Sequence, residues 1–274
     1  MDFNEWNIIW SLSFGQMAAI AVAGNTVTLL IFLKRQLCKR PHYLLISLAV
    51  ADLLVGLLSI PLYMTLHYDL YEGPVVPATA NWMDMFTGLT SIFTLAVISL
   101  KRMYAIGWPF RHRALSSQSY IFAIAIPWIL ALTASSMAIV LLYVAPKPIM
   151  LLILLFVCLS APIVITCTAY FVLWKKKSAR LIPRQAQEVR DLKLAKTVGL
   201  ITGAFLVTWL PFEFLILVYS LCNFCRDISP AIVLIIKLLQ FGNSVINIVI
   251  YPVKNEEYRA ALVEMVCSYR CFCR

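Results

Sequence analysis

Charge is scarce in this chain. Only 13% of its 274 residues are Asp, Glu, Lys or Arg, and 62% are apolar, against roughly 25% and 45–50% in soluble domains. Too few charges are present to cover a water-soluble globule of this size. Histidine is scarcer still: His42, His67 and His112 lie too far apart for a metal-ligand cluster. No phosphate-cradling glycine loop, His-Glu-x-x-His or Ser-His-Asp set occurs, so no enzyme chemistry is indicated. The inverted repeats and paired broken helices that mark many transporters are not found. No basic run precedes the first apolar stretch, as a cleavable signal would require, so the first span is expected to direct insertion itself.

What is present is length of apolar sequence. Seven stretches, at about residues 8–33, 43–68, 78–100, 119–144, 149–174, 195–221 and 229–253, carry almost no charge, and each can cross a bilayer core that needs about 20 residues. Glu213 interrupts the sixth and Lys237 the seventh. Ala145-Pro146-Lys147-Pro148 separates the fourth from the fifth, where two prolines break the helix. The expected fold is an all-α membrane protein, a single seven-transmembrane helix bundle over residues 1–274. Around it are expected an extracellular tail at about 1–7, a short amphipathic eighth helix at 255–266 and a cytosolic tail at 267–274.

The net charge of +10 has a pattern that points away from nucleic acid. Of 23 Lys and Arg, 20 fall in alternate connections: after the first, third and fifth spans and after the seventh. The positive-inside rule then places the N-terminus outside and the C-terminus in the cytosol. The basic connection 175–190 also suits anionic lipid.

Polar groups inside the spans narrow the function. Asp52 lies within Ser47-Leu48-Ala49-Val50-Ala51-Asp52-Leu53, and an ionisable group at that depth is a functional-site candidate that needs partners. Asn25 and Asn243 put amides at similar depth. Asp84 and Arg102 are 18 residues apart, five whole helical turns, so they share one face of the third span about 27 Å apart. Lys237, Ser244, Asn247 and Tyr251 repeat at helical spacing along the seventh.

Gly24-Asn25, Leu48-Ala49-Val50-Ala51-Asp52, Arg102 with Ala105-Ile106 and Pro109, Trp128, Pro162 with Tyr170, Phe205 with Trp209-Leu210-Pro211, and Asn243-Ser244 with Asn247 to Tyr251 occur in order on successive spans. In this ordered set the chain resembles the rhodopsin-like, class A family of G-protein-coupled receptors over essentially its whole length. The resemblance implies a plasma-membrane receptor, not an enzyme and without a cofactor. It would bind an extracellular small ligand within the bundle and activate a heterotrimeric G protein. It also implies a sodium pocket of Asp52, Asn25, Ser91, Asn243, Ser244 and Asn247, which is consistent with the preference of a hard cation for oxygen ligands. Ile92, Pro162 and Phe205 match the family's repacking trio, and Pro211 would kink the sixth helix. Arg102, Asp191, Phe110, Tyr170 and Tyr251 match positions tied to activation and G-protein coupling, with Asp191 placed to pair with Arg102.

Departures from the family pattern matter equally. Lys101 stands beside Arg102 where an acid is usual and Met103 where a tyrosine is, so raised ligand-free signalling is expected. Ile248 replaces the seventh-helix proline. Pro77 stands where the third helix would carry its disulfide cysteine, so the usual bridge cannot form. That feature and the minimal second outer loop resemble the melanocortin, cannabinoid, lysophospholipid and adenosine group, although adenosine receptors keep the bridge. Cys222 and Cys225 are candidates for a short disulfide in the third outer loop, and juxtamembrane Cys267, Cys271 and Cys273 for palmitoylation.

By the same resemblance the ligand cavity would be lined by Asp84, Gly88, Trp209, Phe212, Glu213, Lys237 and Phe241. Asp84 stands where aminergic receptors hold an ammonium, while Leu154, Leu155 and Cys158 stand where catecholamine receptors place serines. Lys237 can neutralise Asp84 or Glu213, or leave Asp84 to a ligand. An amine or zwitterion is favoured; a peptide, nucleoside or lipid receptor, or an orphan active without ligand, is the alternative. An opsin is disfavoured, because Phe241 holds the position of the retinal-bearing lysine.

Overall fold

The computed structural model describes residues 5–33, 42–67, 72–108, 111–112, 115–178, 186–221, 228–254 and 256–272. Nine α-helices lie within them: α1 (Glu5–Leu33), α2 (Tyr43–Leu54), α3 (Ile60–His67), α4 (Val75–Gly107), α5 (Ser117–Ile139), α6 (Pro148–Ser178), α7 (Ala186–Leu221), α8 (Pro230–Lys254) and α9 (Glu256–Phe272). There is no strand among the described residues. Among the described residues six stretches are long and apolar enough to cross a membrane, and α7 adds the shorter apolar run Gly203–Val218. With α2 and α3 forming one rod, this is a seven-transmembrane helix bundle.

The outside of the bundle is greasy. Ile121, Phe122, Phe156, Val207, Phe214 and Val249 are all exposed, an arrangement stable only where the surroundings are lipid. Its inside holds the polar residues: Asn25, Asp52, Thr87, Ser91, Gln240, Ser244 and Asn247 are buried. α4 is the central rod, in contact with α2, α5, α6 and α7. A core cluster of Leu48, Leu95, Phe205 and Tyr251 fills the space where α2, α4, α7 and α8 meet.

Two features depart from seven uninterrupted helices. A π-helical turn, Val55–Ser59, joins α2 to α3, and another, Val140–Val144, ends the fourth span. Pro61 follows the first of these and lacks the N–H that would reach back one turn, so a widened turn accommodates its ring. Gly56 within it lies so close to α1 that a Cβ would sit 2.9 Å from Val22 and 3.0 Å from the Ala18 carbonyl oxygen. α8 runs through Ile248 without interruption and carries its proline at Pro252. The amphipathic α9 continues to Phe272, beyond the expected end at residue 266, so Cys267 and Cys271 lie on a helix rather than in a tail.

Candidate functional site

Near the Val75 end of α4, four rods converge on one ion pair. Lys237 Nζ on α8 donates to Asp84 Oδ2 on α4 at 2.6 Å and to Gln240 Oε1 at 2.9 Å, while Gln240 Nε2 donates to Asp84 Oδ1 at 3.1 Å. The triangle is closed, and both carboxylate oxygens are occupied. Lys237 and Gln240 are three residues apart on one helix, so they face the same way. Aromatic rings enclose the ammonium: Phe212 at 4.2 Å, Tyr63 at 5.4 Å and Phe241 at 5.6 Å from the nitrogen. Side-chain exposures of 12% and 14% make this a largely desolvated pair, in which each charge depends on the other. Gln240 and Tyr63 were not evident as site residues. The helical spacing from Lys237 marks Gln240, but nothing local marks Tyr63.

One turn deeper on α4, Gly88 faces Trp209 of α7 so closely that a Cβ at Gly88 would overlap the indole ring. Trp209 stacks on Phe205, centroids 5.2 Å apart, and meets Phe212 edge-on at 5.9 Å. Its ring nitrogen is buried without a hydrogen-bond partner among the described residues. Ile92 and Phe205 share the core cluster with Trp209, and Pro162 is buried on α6. An aromatic stack therefore connects the ion-pair box to the middle of the bundle.

Deeper again, Asp52 is fully buried. Its Oδ1 accepts from Ser91 Oγ at 3.3 Å and Ser244 Oγ at 3.0 Å, and its Oδ2 from Asn247 Nδ2 at 2.7 Å. Asn25 joins through Ser244, donating to that residue's backbone carbonyl at 3.1 Å. Asn243 is buried on the same helix but makes no hydrogen bond to Asp52. Asn25 and Asn247 each keep a buried carbonyl oxygen with no partner among the described residues. A carboxylate with two unused amide oxygens on hydrogen-bonded neighbours is a donor set suited to a small hard cation.

At the far end of α4, Arg102 is buried. Lys101 turns toward α5, its ammonium 3.3 Å from the centroid of Tyr120 and 3.4 Å from the Ser119 carbonyl oxygen. Tyr251 is buried, and its hydroxyl has no partner among the described residues. Tyr258 of α9 shares a 3.0 Å hydrogen bond with Thr28 and packs on Phe32, docking α9 against α1. Burial raises the Tyr258 phenol above its usual range, and the Thr28 bond opposes that rise. Phe110, Cys222, Cys225 and Cys273 lie outside the described residues, as do the side chains of Asp191, Tyr170 and Cys271. Cys267 is an exposed free thiol.

Glu213 is separate from the ion-pair box. It lines a groove of about 210 Å³ between α6 and α7, among Leu155, Leu159 and Leu210.

Comparison with known proteins agrees with this architecture. The family described as "7 transmembrane receptor (rhodopsin family)" matches residues 24–251. The chain is 26% identical to the histamine H2 receptor of Cavia porcellus, over 97% of its own length and 82% of the relative's. It is 25% identical to the octopamine receptor beta-2R of Chilo suppressalis, covering 100% and 85%. It is 26% identical to cannabinoid receptor 2 of Mus musculus, covering 95% and 84%.

Proposed function

Because this chain belongs to the rhodopsin family of seven-transmembrane receptors, and is therefore a multi-pass membrane receptor rather than an enzyme, we propose that it takes an extracellular small ligand at the Asp84–Lys237 box and activates a heterotrimeric G protein. The Val75 end of α4 then faces outward at the plasma membrane and the Arg102 end faces the cytosol, the orientation favoured by its basic connections. One observation carries the ligand reading: a desolvated ion pair, walled by Phe212, Tyr63 and Phe241, sits one turn above the Gly88–Trp209 contact.

Two of the three relatives are named for amines, and Asp84 supports a cationic ligand group. Lys237 sharpens that reading toward a zwitterion. A simple amine would have to expel the lysine from Asp84 and leave a buried ammonium unpaired, a loss of about 3–5 kcal/mol. A ligand bearing both charges replaces each half of the pair. Movement of Phe212 then reaches Trp209 and Phe205 through direct ring contact.

A second reading follows from the same geometry: Lys237 is itself the ammonium in the amine position, and the receptor signals without an added ligand. The two are separated by screening zwitterions and amines on cells that express the chain with G-protein reporters, alongside Asp84→Asn and Lys237→Met. A response to a zwitterion that both substitutions abolish supports the first reading. Ligand-free signalling that Lys237→Met abolishes, with no responder in the screen, supports the second. A ligand response indifferent to both substitutions overturns the site assignment.

The Asp52 cluster, in this proposal, holds a sodium ion through Asp52, Ser91, Ser244, Asn247 and the unpartnered oxygen of Asn25. A bound cation there would neutralise the buried carboxylate and hold α2, α4 and α8 together.

A further inference from the structure

Lys237 has one nearby acid to satisfy and is bonded to Asp84, which leaves Glu213 without a hydrogen-bond or ion-pair partner among the described residues. An acid at membrane depth is unfavourable unless something cationic or polar reaches it. Glu213 is half-buried, set in the groove between α6 and α7 whose other walls are apolar, among them Leu155, Phe156, Leu159, Leu210 and Phe214. Phe156 and Phe214 are 66% and 67% exposed, so the groove opens sideways onto lipid rather than inward to the ion-pair box.

The geometry points to this groove as a second, membrane-facing site for an amphiphilic amine, one protonated nitrogen on a long apolar body, with Glu213 as its counter-charge. Charge complementarity selects the head group: a carboxylate would face a like charge, and an alcohol can donate to the carboxylate but brings no positive charge to balance it. Size selects against a partner helix. The groove runs from Leu210 to Leu217 along α7, about 10 Å at 1.5 Å per residue, enough for part of an alkyl chain and too short to seat a spanning helix. Glu213 directly follows Phe212, the residue that touches Lys237, so occupants of the groove and of the box would bear on neighbouring faces of one turn of α7, about 100° apart.

The test uses the full chain in lipid nanodiscs and a photoreactive long-chain alkylamine. Competitors are the unlabelled amine, alcohol and carboxylate of the same chain length. The expected result is labelling on peptides of α6 and α7, with the amine competing roughly tenfold better than the other two. Glu213→Gln should remove that preference, and the double variant Asp84→Asn with Lys237→Met, which takes both charges out of the box, should leave it intact. Equal competition by all three head groups overturns the proposal, as does labelling confined to other helices. A preference that survives Glu213→Gln, or is lost in the double variant, overturns it too. Should Glu213→Gln fail to fold, the head-group comparison on the unaltered chain decides alone.

Discussion

Lys237 reaches across the bundle to Asp84, nitrogen to oxygen in 2.6 Å, and so ties α8 to α4 at the level of the proposed ligand box. Each charge is mostly removed from solvent, which makes the loss of either one costly and the loss of both tolerable.

Lys237→Met is expected to destabilise the purified receptor by about 3–5 kcal/mol, because Asp84 is left buried and unpaired. Adding Asp84→Asn should recover much of that loss. Thermal unfolding of the two single variants and the double variant checks this, and strictly additive effects would contradict the pairing.

Sodium is expected to lower agonist affinity in the unaltered receptor. In Asp52→Asn that effect should vanish, since the cation loses its one charged ligand while the neighbouring hydroxyls and amides keep a hydrogen-bonding partner. Agonist competition binding with sodium or a bulky organic cation as the counter-ion reads it out; unchanged sodium sensitivity in the variant refutes the site.

Gly88→Ala should displace Trp209, because the new methyl would occupy the position of the indole edge. Overpacking of this kind costs about 1–3 kcal/mol. The companion change Trp209→Phe removes the clash, and the double variant should be more stable than Gly88→Ala alone in the same thermal assay.

Lys101 supplies a different expectation. With Lys101 rather than an acid preceding Arg102 in the sequence, ligand-free signalling should be substantial, and Lys101→Asp should reduce it. Reporter output at matched surface expression measures this. Because Lys101 also holds the Tyr120 ring at 3.3 Å, Tyr120→Leu serves as a companion that removes the clamp to α5 without adding an acid; a drop in Lys101→Asp alone assigns the effect to charge.

Much of this was legible along the chain. The apolar runs predicted the rods, and the helical spacing of Ser244 and Asn247 put them on one face of the seventh, because residues on one face of a rigid helix keep their register wherever the helix packs; that this face belongs with Asp52 was implied by the family resemblance. Asn243 was expected in the same cluster, yet it neighbours Ser244 at a helical offset of one residue, which turns its side chain to a different face. The π-helical turn at Val55–Ser59 has a local cause in Pro61, though sequence spacing alone does not show how the chain absorbs that proline.

The sequence by itself determined the class of molecule, since apolar length, alternating basic connections and the order of polar residues on successive spans are properties of each segment alone. Which acid receives Lys237 was a question for tertiary structure, because Asp84 and Glu213 lie on different helices and only the packing of α4, α7 and α8 sets their distances from one ammonium. The closure of that triangle by Gln240 and the placement of Glu213 in the groove between α6 and α7 follow from the same packing.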